Sequence, residues 1–360
     1  MSPAVEEPIR LDPFVAGGHP VHNRTLIVEV LQDEGGRVRA LATILDLRKQ
    51  GWIPTGGDLQ TAGLIHHMSL DVLVDAGSGL IERFEPSQRV VAFEPSGRTA
   101  DEGCRDPIHL LQGMVGETLA AGNARRLSEI FGGPRGCSHL LTLGQLVVSF
   151  LPGTIARAAR GGRAQQLARE AGERLAKRAL VIDGFARADG DQEIAIQLTD
   201  VHTRPFATMV DMLDRFGAQH ELRAIFRVDG ATTTIRAFDL AERAQTRAEL
   251  GTAVWQSRRE ELRWLDGHPV MRGLAPGLLR RYGDDPAREP LLAALINFAP
   301  GYVQSLSMRV TRVIEQAARA GKRVGMMEES GFGPPPDSCH VWRSDGCMMR
   351  LRGARERAGD

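Results

Sequence analysis

LIVEVLQDEGGRVRALATILD, residues 26–46, reads as two strands around a turn. Aliphatic and β-branched residues recur at every second position and break at Asp33-Glu34-Gly35-Gly36. A second stretch, LVIDGFARADGDQEIAIQLTD (residues 180–200), lies over the first without a gap, pairing Leu26 with Leu180 and Asp46 with Asp200. The same register goes on to pair His66 with His220, Asp75 with Asp229 and Phe84 with Phe238. Such self-similarity is the mark of an internal duplication.

Working outward, MSLDVLVD (68–75) and GLIERFEP (79–86) complete an antiparallel meander. From Ile108 the period changes: IHLLQGMVGETLAAG and ARRLSEIF look helical, and Leu140, Leu143, Val147 and Phe150 recur at helical spacing. The expected fold class is α+β. It would comprise two tandem related units, each a β-meander followed by helices packed on one face, forming a pseudo-dimer. The boundaries read as an N-terminal arm (1–24), a first unit (25–152), a connector helix (153–178), a second, degenerate unit (179–315) and a tail (316–360) carrying Cys339-His340. Where the first unit has GCSHL, the second has AREPL from Ala287, so the thiol and imidazole are gone.

Composition excludes several functions. The 360 residues carry 45 basic and 45 acidic side chains, so no net field draws in nucleic acid or an anionic membrane. Two tyrosines and 5% aromatics are too few for base stacking. The opening MSPAVEEPIRLDPF is acidic and is followed by no apolar run of the kind a secretory leader needs. With four cysteines, this predicts reduced thiols and a cytoplasmic location. LLTLGQLVVSFLPG falls short of a membrane span. Nucleotide-binding and common hydrolase motifs are missing.

The groups able to carry chemistry cluster in the first unit. In Gly136-Cys137-Ser138-His139, a helix starting at this point would aim its free N–H groups at Cys137 and lower its pKa. His66 and His67 are adjacent on a strand and so point to opposite faces; His66 is the better candidate because Glu221 replaces His67 in the second copy. Asp46 and Arg48, two apart, share a face and could hold an anion or orient an imidazole. In the second copy, Asp200, His202 and Arg204 stand in the corresponding stretch. A plain ion pair and hydrogen-bonded core histidines account for these residues equally well. Cys104, Cys137, His139 and Cys339 would serve as Zn or Fe ligands if they converged.

Leu45-Asp46-Arg48, Ile65 to Met68, Cys104 before LLQGMVG, Gly136 to Leu140 and Asp337 to His340 together resemble a bacterial domain-of-unknown-function family, number 2889. The resemblance covers about residues 25–152 and the tail, and this chain is much longer than the family domain. It implies strands followed by helices bearing Cys and His, similar in layout to iron–sulfur scaffold proteins of the NifU type, and a place in bacterial breakdown of aromatic compounds. Two functional readings follow. One is a cofactor-independent lyase that cleaves a C–C or C–O bond of a small aromatic or carboxylated substrate, as in decarboxylation or deformylation. In it His66 is the base, Asp46 its orienting partner, His139 the acid, Arg48 the anion binder and Cys137 a pocket residue. The other is a metal- or cluster-binding module, with Cys104, Cys137, His139 and Cys339 as ligands. Neither calls for nucleic acid or membrane; a homodimer is compatible with both.

Overall fold

The computed structural model describes residues 19–120, 122–160, 169–322, 324–326 and 333–358. The predicted arm (1–24) falls outside the described residues up to residue 18, as do residues 161–168 of the predicted connector. The fold class is α+β: one large antiparallel sheet with helices. Its strands are β1 (His22–Gln32), β2 (Arg37–Arg48), β5 (Gly63–Asp75), β6 (Ile81–Val90), β7 (Arg174–Ala186), β8 (Gln192–Thr203), β9 (Phe216–Val228), β10 (Ile235–Thr246) and the two-residue β11 (Gln256–Ser257). A small hairpin, β3 (Ile53–Thr55) and β4 (Asp58–Gln60), stands apart. The nine strands of the main sheet run in the order β11-β10-β9-β8-β7-β1-β2-β5-β6.

Two four-stranded meanders thus meet along β1 and β7, which pair antiparallel with Leu26 opposite Leu180. Cross-strand partners repeat: Arg24 faces Asp46 and Asp46 faces His66 in the first meander, and Arg178 faces Asp200 and Asp200 faces His220 in the second. Alternation places the inward set of β1 (His22, Arg24, Leu26, Val28, Val30) and of β2 (Val38 to Arg48, every second residue) under the helices.

The helices are α1 (Asn123–Phe131), α2 (Ser138–Arg160), α3 (Leu274–Tyr282), α4 (Glu289–Ile296), α5 (Phe298–Ser305), α6 (Ser307–Arg319) and α7 (Cys347–Ala358). Helix α2 lies across β1, β2, β5 and β7 and buries Leu140, Leu143, Val147 and Phe150. It runs through the predicted 152/153 boundary to Arg160, and residues 174–178 of the predicted connector helix are strand β7. The reason is their alternating burial, with Leu175, Ala176 and Arg178 turned inward against the core. Residues 106–114 form a 3-10 run; in the predicted helix from Ile108, the backbone leaves helical geometry at Val115. By length and composition α2 and the stretch Pro286–Arg319 could each cross a membrane, yet 61% of the most apolar window of each is buried in the protein. Their apolarity serves packing against the sheet.

Helix α5 comes unusually close to β7. A Cβ on Gly184 would sit 2.4 Å from Ser305 Cβ, and one on Gly301 would sit 2.7 Å from Ile182. The tail returns to the first half: the His340 N–H donates to the Gly136 carbonyl at 2.8 Å. There Val341, Trp342, Cys347 and Met348 form a second small core with Ile53 and Phe93.

Candidate functional site

Asp46 is fully buried and stands at the centre of a polar cluster beneath α2. Four side chains from three segments converge on its carboxylate. From β1, Arg24 donates through Nη1 to both oxygens at 3.2 and 3.4 Å, and His22 Nε2 lies 3.3 Å from Oδ1. From β5, His66 Nδ1 lies 3.0 Å from Oδ2; from the first turn of α2, His139 Nε2 lies 3.3 Å from the same oxygen. Thr142, one turn along α2, accepts from Arg24 Nη2 at 3.0 Å and fixes the guanidinium.

Local irregularities aim these groups. Between Asp46 and Leu47 the β2–β5 register skips Ile65, a bulge that lets Ile65 and His66 both turn inward. His67 falls on the other face, half-buried. Just before α2, Cys137 caps the helix, its carbonyl accepting from Leu141 N–H at 2.9 Å. This sets His139 against His66, with ring centroids 3.8 Å apart and planes tilted by 35°. His139 Nε2 also lies 3.1 Å from Gln304 Nε2 on α5.

Electrostatics assign the resting charges. Burial alone would push the Asp46 carboxyl up, but Arg24 and the His22 and His66 contacts outweigh it and hold it well below the usual range. Burial pushes His139 well below its ordinary value, and neighbouring His66 and Arg24 add to this. His22 is lowered too, burial outweighing its bond to Asp46. A carboxylate paired with one guanidinium and flanked by the neutral imidazoles of His22 and His139 is the stable arrangement.

The cluster opens through His66 and His139 onto a cavity of about 510 Å³. Its wall combines first-half residues such as Arg48, Ile53 and Phe93 with Val303 and Gln304 of α5 and with Trp342 of the tail. Arg48 is 4% exposed; its Nη1 donates to the Gln60 carbonyl at 2.7 Å and its Nε has no partner among the described residues. Burial lowers its guanidinium to about 10.

Cys104, Cys137 and Cys339 also line this cavity, as does His139. Cys137 reverses the expected pKa direction. Burial pushes its thiol up to about 12, outweighing the backbone N–H groups of Leu140 and His139. Burial likewise raises Cys104 and Cys339. Among the described residues, no three of Cys104, Cys137, His139 and Cys339 bring their ligand atoms within 4.8 Å of one another; Asp46, His66 and His139 do. In that group the carboxylate already receives Arg24 on both oxygens, and a divalent ion there would stand beside the guanidinium charge.

In the second half, Arg178 forks onto Asp200 at 2.7 Å and onto Glu289, whose Oε1 also accepts from Ser149 at 2.6 Å. Glu289, from the AREPL segment, thus closes that centre with a second carboxylate. Burial lowers His202 there to about 4. Asp200, His202, Arg204 and His220 are not among the described residues lining the large cavity.

Reading the sequence alone missed His22, Arg24, Thr142 and Gln304. Arg24 had a signal: the register that lays Leu26 on Leu180 also lays Arg24 on Arg178. The arm boundary at residue 24 hid it, because β1 begins at His22.

No curated protein and no solved structure matches this chain. Residues 22–150 match the model of a family described as "Protein of unknown function (DUF2889)". The segment holding the Asp46 cluster, from β1 through α2 to Phe150, therefore belongs to the DUF2889 family.

Proposed function

We propose that this protein is a lyase that cleaves a C–C or C–O bond of a small aromatic or carboxylated molecule bound in the large cavity, using His66 and His139 as its proton-handling pair. The observation that carries this reading is the imidazole pair itself, anchored on a buried carboxylate and open to the large cavity. With Nδ1–H of His66 donating to Asp46, its Nε2 is left as the base, the arrangement by which a carboxylate fixes a histidine tautomer.

In a deformylation, Nε2 would take the proton of a substrate hydroxyl. The O–H electron pair becomes the new C=O bond, the C–C pair stays on the departing carbon, and that carbon collects a proton from the pair. The proton taken by His66 passes to His139, whose ring centroid lies 3.8 Å away. His139 suits the donor role because burial makes its protonated form a strong acid that gives this proton to the carbon and returns to neutral. Arg48 would hold the substrate's anionic group.

The two-unit reading enters here as well. The Leu26–Leu180 pairing and the repeated Arg–Asp–His register support a pseudo-dimer in which one centre keeps its histidines and the other is closed by Glu289.

The test is a screen of aryl acids, aryl ethers and aryl-substituted primary alcohols for turnover by mass spectrometry, followed by His66→Ala. Loss of at least about a hundredfold in kcat is expected, the lower end for general acid–base catalysis. Unchanged turnover in a folded His66→Ala protein would remove the assignment. One tightly held metal ion per chain, lost together with activity on chelation, would instead make Asp46, His66 and His139 ligands.

A further inference from the structure

The cavity wall has a charge bias that the whole chain lacks. The sequence carries equal numbers of acidic and basic side chains, yet among the described residues lining the cavity none is Asp or Glu. The same wall contains Arg48, Arg309 and three histidines. Of these, Arg48 is the buried cation, and among the described residues it has a backbone carbonyl and no carboxylate as partner. Arg24 and Arg178, the other deeply buried arginines of the two centres, each have a carboxylate on the guanidinium. A buried charge without a counter-ion is costly, and the cost is relieved when a ligand brings the opposite charge.

Around this cation the wall is apolar. Ile53, Phe93, Val303, Val310, Val341 and Trp342 face the cavity, with Phe93 and Trp342 packed edge to face at 5.9 Å. A volume of about 510 Å³ lies within the roughly 300–1000 Å³ of pockets that enclose drug-sized ligands, so a single aromatic ring would leave it largely unfilled.

We infer that the ligand of this cavity is an aryl carboxylate of at least two rings, its carboxylate on Arg48 and its apolar body against the Phe93–Trp342 wall. This rests on the reading of the cavity as a small-molecule site and names the class of molecule it takes. Of the five N–H donors of Arg48, four remain beyond the one committed to Gln60, enough for a forked grip on a carboxylate.

Isothermal titration calorimetry with biphenyl-4-carboxylate, biphenyl-4-methanol and benzoate tests it without any need for turnover. The two-ring carboxylate should bind at least about tenfold tighter than the alcohol, the lower end of what a hydrogen bond to a charged group contributes. It should exceed benzoate by a similar factor because the second ring is buried. Arg48→Met should erase the preference for carboxylate over alcohol while leaving the alcohol's affinity within about threefold; Arg48→Lys should keep part of it. Equal affinity for acid and alcohol, a preference that survives Arg48→Met, or no binding of any of the three overturns the inference. Arg48-dependent binding that persists in His66→Ala, with no aryl carboxylate ever turned over, would sink the lyase reading and leave this one standing.

Discussion

His139 and His22 are imidazoles that folding holds below their ordinary pKa, in both cases through burial first. The unfolded chain therefore binds more protons than the folded one as pH drops below about 6.5, the ordinary histidine value. Their contribution to stability is complete above that pH and is lost as pH falls toward the folded-state values. For each such histidine the slope is about 1.4 kcal/mol per pH unit inside the window. Urea unfolding at pH 7.5, 6.5 and 5.5 should show stability flat over the first step and falling over the second. A His139→Gln variant should show a shallower fall; an equal fall would mean that His139 is not one of the titrating groups. Asp46 acts in the same direction further down, since protonating its carboxylate would strand Arg24 without a counter-charge.

At the level of elements, what holds the second half against the site is the seat of α5 on β7. Gly184 leaves room for Ser305, and Gly301 leaves room for Ile182. Gln304, next to Ser305, reaches His139 only because this approach is so close. Gly184→Ala should cost about 1–3 kcal/mol, the usual range for overpacking a core. Adding Ser305→Gly should recover most of the loss, and two denaturant titrations would show it; a destabilised double variant would place the strain elsewhere.

Legibility also divides by element. The long strands could be read because period-two alternation is a local signal, and LDLR showed correctly that Asp46 and Arg48 share a face. The boundaries at residues 24 and 153 could not be read. His22 and Arg24 look like arm residues until a buried carboxylate is placed opposite them, and the end of α2 is set by what it packs on. The pKa of Cys137 was misjudged for the same reason. A helix N-terminus is visible in sequence, but the burial that overrides it is tertiary.

On the scale of the whole molecule, the tail reaches back across the length of the chain to complete the cavity. Trp342 is 1% exposed, packs edge to face on Phe93 and is bracketed by the His340–Gly136 backbone bond. Truncating a buried tryptophan costs about 3–5 kcal/mol. Trp342→Ala should therefore lower the thermal midpoint and weaken biphenyl-4-carboxylate together, while Val254→Ala, at a distant exposed position, should leave both unchanged. A Trp342→Ala protein that keeps full affinity would detach the tail from the site.

The seam between β1 and β7 has a consequence for how the chain is made. Strand β1 leaves the ribosome before the other described strands, yet it ends in the interior of the sheet, and its second neighbour begins only at Arg174. Throughout synthesis of the intervening residues, β1 is a long edge with its N–H and C=O groups open, the kind of template that recruits another strand. A chain interrupted before Arg174 would present that edge permanently. Two such fragments could join through it, each taking the place that the second half occupies in the intact protein.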